Sequence, residues 1–122
     1  MTEPASFRLL WVSHPPHSTV HLSEAIRLAA MSTALGSTTR LLFIGEGVRS
    51  LVEHQEPYRY GPPIDRALAG LVTVECPALV HRPSLAHRRM TRESLASHLP
   101  IETVDDAGAA DWLYHAEKVV AF

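Results

Sequence analysis

Two unbroken apolar runs, Leu9–Val12 and Leu41–Ile44, stand in the first third of the chain, and the periodicity between them is different. Four apolar residues in a row without alternation are expected of a strand covered on both faces, as in a parallel sheet. The first run stops at Ser13-His14-Pro15-Pro16, where two prolines end strand pairing and impose a loop. From Ser18 or Thr19, the residues Leu22, Ala25, Ile26, Ala29, Ala30 and Thr33 recur at i, i+3, i+4 spacing and predict a helix. Gly36 is placed to stop it in a left-handed conformation. A second stripe, Leu28, Met31 and Leu35, leaves two readings: a helix sunk in its own core, or one that packs on the sheet and also on a partner subunit.

Further along, the pattern predicts a short helix at Val48–Glu53, a loop through Pro63, a helix at Ile64–Ala69 and a strand at Leu71–Glu75 ended by Cys76-Pro77. A helix is expected between Thr91 and His98, with Thr91 as its N-cap and Pro100 as its stop. Ile101–Val104 reads as a strand, Ala107–Ala116 as a helix with Asp105 and Asp106 at its positive end, and Lys118–Phe122 as a closing strand. Strands alternating with helices imply right-handed βαβ units. The expected fold is therefore one α/β domain over residues 1–122, with a five-stranded parallel sheet between helices in a flavodoxin-like, three-layer layout.

Composition narrows the possible functions. A chain of 122 residues with 46% hydrophobic content supports one core. Its formal net charge of −2 lacks the positive field of a general nucleic-acid binder. One cysteine, Cys76, provides neither an internal disulfide nor a multi-thiolate metal site, and fits a reducing compartment. No signal peptide is recognisable at the start, and no segment nears the roughly 20 apolar residues that span a bilayer, so a cytoplasmic location without membrane contact is expected.

In an open parallel sheet, ligands and reacting groups sit beyond the carboxyl ends of the strands. Three features are expected there: His14 to Thr19, Gly45-Glu46-Gly47, and Cys76-Pro77. The first is no phosphate loop, and the lone Gly-x-Gly reads as a turn, so no nucleotide or other cofactor is implied. His14 and His17 have no Cys, Asp or Glu near them in sequence, which argues against a metal; their alternative use is to polarise a thiolate or a small anion. There is no G-x-S-x-G elbow. If Pro77 is the first residue of a helix, Cys76 occupies its N-cap, where unpaired N–H groups lower a thiol pKa. The competing reading is a buried cysteine acting as a small hydrophobe. His81, Arg82, His87, Arg88, Arg89 and Arg92 form the one basic cluster, read as a solvated face or as a docking patch for an acidic partner or RNA phosphates.

The loop Val12-Ser13-His14-Pro15-Pro16-His17-Ser18-Thr19, Glu24, the stretch Leu42–Val48, Ala110-Asp111-Trp112 and the ending Val119–Phe122 together resemble the DsrE/DsrF-like family, and within it the TusC/DsrF branch. The resemblance spans nearly the whole chain and rests on order and spacing. It implies homo- or hetero-oligomers of related subunits that relay persulfide sulfur from donor to acceptor proteins, toward tRNA thiolation or sulfur oxidation, with tRNA met only indirectly. In that family the sulfur-carrying cysteine, where present, follows the third strand. The resemblance therefore nominates Cys76 as the carrier and brings in the loop of His14, His17 and Thr19; the positive potential of Arg82 or a loop histidine would favour its thiolate, which makes these four residues the auxiliary groups. The TusC/DsrF branch commonly lacks that cysteine, so a scaffold subunit is the alternative, and a small-ligand-binding module is a third reading.

Overall fold

The computed structural model describes residues 6–15, 21–52, 78–95 and 100–122. Strand β1 (Arg8–Val12) lies between β2 (Thr39–Phe43) and β5 (Lys118–Ala121), and beyond β2 come β3 (Ala78–His81) and β4 (Ile101–Val104). All four pairings are parallel, and the strand order is β4-β3-β2-β1-β5. The five-stranded parallel α/β sheet matches expectation, but its strand order differs from the 2-1-3-4-5 order of flavodoxin. Here the chain steps in one direction from β1 to β4 and then returns past β1 to place β5.

That path decides where the helices go. A right-handed crossover from one parallel strand to the next puts its helix on a face set by the direction of travel. Helix α1 (His21–Ala34), between β1 and β2, therefore covers one face. Helix α3 (Asp106–His115), on the return from β4 to β5, covers the other. Strand side chains divide accordingly. Leu10, Val12, Leu41, Phe43, Ala78 and Val80 pack with Leu22, Ala25, Ile26 and Ala29 of α1. Phe7, Leu9, Leu42 and Leu79 pack with Ala109 and Trp112 of α3. Leu9, Leu10 and Val12 of β1 and Leu41, Leu42 and Phe43 of β2 are thus buried on the two faces, the condition that unbroken apolar runs anticipate. Each fully buried Leu or Phe contributes about 1.5–3 kcal/mol of transfer free energy.

Strand β2 is followed by a 3-10 helix, Gly45–Leu51, that starts three residues before the expected helix; Val48 and Leu51 anchor it in the α1-side core. Its two glycines have separate reasons. Gly45 takes a φ of +57°, and a Cβ on Gly47 would fall 2.0 Å from the carbonyl oxygen of Val12. The Gly-x-Gly is a structural turn. Asp105 caps α3 by accepting a bond from the Gly108 N–H at 2.7 Å.

The third strand requires a correction. One reading has Pro77 opening a helix, but Ala78–His81 is a strand, and α2 (Arg82–His87) begins five residues after Pro77, inside the basic cluster. The physical reason is that a proline without an N–H suits the residue before a strand as well as the first turn of a helix. The Ala78 N–H then begins the pairing by donating to the Pro100 carbonyl. Ala78, Leu79 and Val80 are all buried, a run too short to stand out in the sequence. Near Thr91, a three-residue 3-10 turn, Arg92–Ser94, stands where a longer helix was expected. The expected helix at Ile64–Ala69 and strand at Leu71–Glu75 lie outside the described residues.

On α1, Leu28 packs against the core, whereas Met31 and, just past the helix, Leu35 are exposed. The second stripe is therefore only partly used within the chain. Among the described residues no helix is long and apolar enough to cross a membrane.

Candidate functional site

The carboxyl ends of four neighbouring strands bring their following residues into one row. In sheet order these are Asp106 after β4, His81 as the last residue of β3 with Ser84 after it, Gly45 and Glu46 after β2, and Ser13 and His14 after β1. Three of these side chains form a continuous hydrogen-bonded chain. His81 Nδ1 lies 2.6 Å from Ser84 Oγ, and His81 Nε2 lies 2.6 Å from Asp106 Oδ1. The Gly45 N–H donates to the same Ser84 Oγ at 2.8 Å. Ser84 is buried, the His81 side chain is 12% exposed, and Asp106 faces solvent at 86%.

Proton positions follow from the partners. A carboxylate accepts only, so the nitrogen facing Asp106 must carry a proton. In neutral His81 the other nitrogen, Nδ1, is then an acceptor, and the Ser84 hydroxyl donates to it. The Gly45 N–H fills an acceptor position on the serine oxygen. This arrangement can move a proton from Ser84 to His81, and His81 is held in the necessary tautomer.

Beside it, the Arg88 guanidinium links α2 to the 3-10 helix. Its Nε donates to Glu46 Oε1 at 2.9 Å and its Nη1 to the Ser84 carbonyl at 3.0 Å, while Arg49 donates to Glu46 Oε2 at 2.8 Å. The Arg88 bond, followed by that of Arg49, holds the Glu46 carboxyl below its ordinary pKa of 4.5, against an opposing effect of desolvation. A depressed folded-state pKa gives stability that is present above the unfolded value and lost as pH falls through the folded one. Glu46→Gln should therefore be less stable than wild type at neutral pH, and the gap should close below about pH 4. Because Glu46 is 45% exposed, the gap is small. Denaturant titrations at several pH values measure it, and a gap that widened in acid would contradict the ion-pair assignment.

The sequence-nominated residues fare differently. His14 is at the carboxyl edge as expected, stacked on His21 with ring centroids 3.9 Å apart. Arg82 is also there, exposed as the first residue of α2. His17, Thr19 and Cys76 lie outside the described residues. What the structure does fix is the strand beside Cys76. Among the described residues β3 runs from Ala78, two residues beyond Cys76 in the sequence, to His81, and the residues that follow it are Arg82, Pro83 and Ser84. Ser84 and Asp106 escape the sequence reading because the short strand Ala78–His81 is not anticipated there. With β3 at Ala78–His81, the rule that sites lie beyond carboxyl ends points directly at them.

No group of three or more His, Cys, Asp or Glu suited to a metal ion occurs among the described residues. A depression of about 230 Å³ lies at the opposite, amino edge, near Arg8, Ser37 and Glu117. Its polar groups already pair internally: Arg8 donates to Ser37, and Ser6 to Glu117.

Comparison with known proteins extends this picture. The model of the DsrE/DsrF-like family matches residues 9–122. The chain belongs to the DsrE/DsrF-like family. Among solved structures, the crystal structure of the ychN protein from E. coli resembles it with a TM-score of 0.81 at 20% sequence identity, covering 96% of this chain and 99% of that one. At that identity the likeness concerns the fold. No curated protein matches. Family membership thus extends over the whole sheet, the carboxyl-edge row included, and over segments whose structure is not described.

Proposed function

We propose that this chain is a subunit of a sulfur-relay assembly and that it positions a sulfur-carrying partner rather than carrying the sulfur itself. Family membership supports the relay role. One observation carries the rest: β3 ends at His81, and the chain continues into Arg82-Pro83-Ser84, with no thiol at the place after the third strand. A relay through a protein persulfide needs a thiolate that is reached by donor and acceptor in turn. Cys76 comes before Ala78 in the chain, whereas His81 is the last residue of β3 and His14 and Arg82 come after their strands. The exposed Arg82 and the residues around it then form part of a contact face for the subunit that holds the reactive cysteine.

The test is to isolate the assembly through a tag on this chain and locate sulfane sulfur by peptide mapping. The expected result is sulfur on a cysteine of a co-purifying subunit, unchanged when Cys76 is replaced with Ser. Sulfur found on Cys76, and lost in that variant, would make this chain the carrier.

A further inference from the structure

We propose that Ser84 is a nucleophile toward small, activated acyl esters, with His81 as its general base and Asp106 as the residue that positions His81; this activity is independent of the sulfur-relay reading. The geometry has the polarity that such chemistry requires. Asp106 fixes the proton on His81 Nε2, which leaves the Nδ1 lone pair 2.6 Å from Ser84 Oγ to receive the serine proton. The ring is turned relative to the common arrangement, in which Nε2 faces the serine, but each nitrogen has an equivalent role. The Gly45 N–H, 2.8 Å from the same oxygen, stabilises negative charge that develops there when the proton leaves. Arg88, bound to the Ser84 carbonyl, is the neighbouring cation.

Location supports the assignment. Ser84 sits in the first turn of the helix that directly follows β3, at the carboxyl edge of a parallel sheet; its hydroxyl meets His81 at the end of β3 and Gly45 after β2, and Asp106 after β4 reaches His81. Ser84 is 5% exposed, so a small ester is the probe suited to reach it. In the step itself, Ser84 Oγ forms a bond to the ester carbonyl carbon as its proton passes to His81 Nδ1. The bond to the leaving oxygen breaks, and that oxygen takes the proton from His81. Water then attacks the acyl-serine with His81 again as base, releasing the carboxylic acid and restoring Ser84.

The experiment uses the full chain with a small alkyl fluorophosphonate, read by intact mass and peptide mapping, alongside p-nitrophenyl acetate hydrolysis across pH. With the fluorophosphonate, a phosphorus–oxygen bond forms, the phosphorus–fluorine bond breaks, and fluoride leaves. The expected result is one adduct, on Ser84, and none in Ser84→Ala. Asp106→Asn, a change at a residue 86% exposed, should leave the fold intact. It should slow both reactions about tenfold and displace the pH profile, because the amide no longer enforces the tautomer. Absence of an adduct on Ser84 would overturn the proposal, as would an Asp106→Asn variant with the wild-type rate and pH profile.

Discussion

Gly47→Ala is expected to lower the stability of the fold by about 3 kcal/mol or more, enough to leave much of the protein unfolded under mild conditions. An added Cβ would stand 2.0 Å from the carbonyl oxygen of Val12 and 2.7 Å from its carbonyl carbon. These are backbone atoms of β1, an interior strand of the sheet, and cannot swing aside as the end of a flexible side chain would. The Val12 carbonyl also accepts the Ile44 N–H at 3.0 Å, so the strand end is held from both sides. The 3-10 helix would have to lift away from β1, taking with it the Gly45 N–H that reaches Ser84 and the Glu46 carboxylate that holds Arg88. Chemical denaturation with circular dichroism checks this. A variant within about 0.5 kcal/mol of wild type would show that this contact is slack.

Trp112→Ala should cost about 3–5 kcal/mol, the range for truncating a large buried aromatic residue. Trp112 is 3% exposed and meets Phe7 edge-on, with centroids 5.0 Å apart. It is the largest side chain that α3 lays on its face of the sheet, over Leu9, Leu42 and Leu79. The same helix begins at Asp106, so the loss also loosens the partner of His81. Tyr114→Ala provides the control: on the same helix but 85% exposed, it should change stability by less than about 0.5 kcal/mol. Equal losses for the two variants would mean that the helix is held by its propensity and not by the tryptophan.

The contrast between these residues also explains what could be read in the sequence. Leu9–Val12 and the second run, at Leu41–Phe43, announced themselves because strands buried on both faces leave no polar positions, and α1 did so through its i, i+3, i+4 spacing. Ile101–Val104 and the Asp105 cap were similarly plain. The third strand was not. It has four residues, follows a proline and runs straight into a helix, so its local signals were those of a helix start. Without that strand, Ser84 is hidden among arginines, although His81 is marked as part of the basic cluster. The partnership of His81 with Asp106 depends on β3 and β4 being neighbours, a pairing between residues 25 apart in sequence that no local pattern contains. Strand order was beyond local reading for the same reason, since it is set by the direction of the crossovers.

The central claim, that this chain serves a sulfur relay without being the carrier, is tested most directly by exposing the purified chain and its Cys76→Ser variant to a persulfide donor. Intact mass is then followed before and after addition of an acceptor thiol. The account predicts that wild type and variant behave alike, with no added sulfur atom that the acceptor can remove. A wild-type chain that gains one sulfur atom, yields it to the acceptor and loses this ability in the Cys76→Ser variant would contradict it.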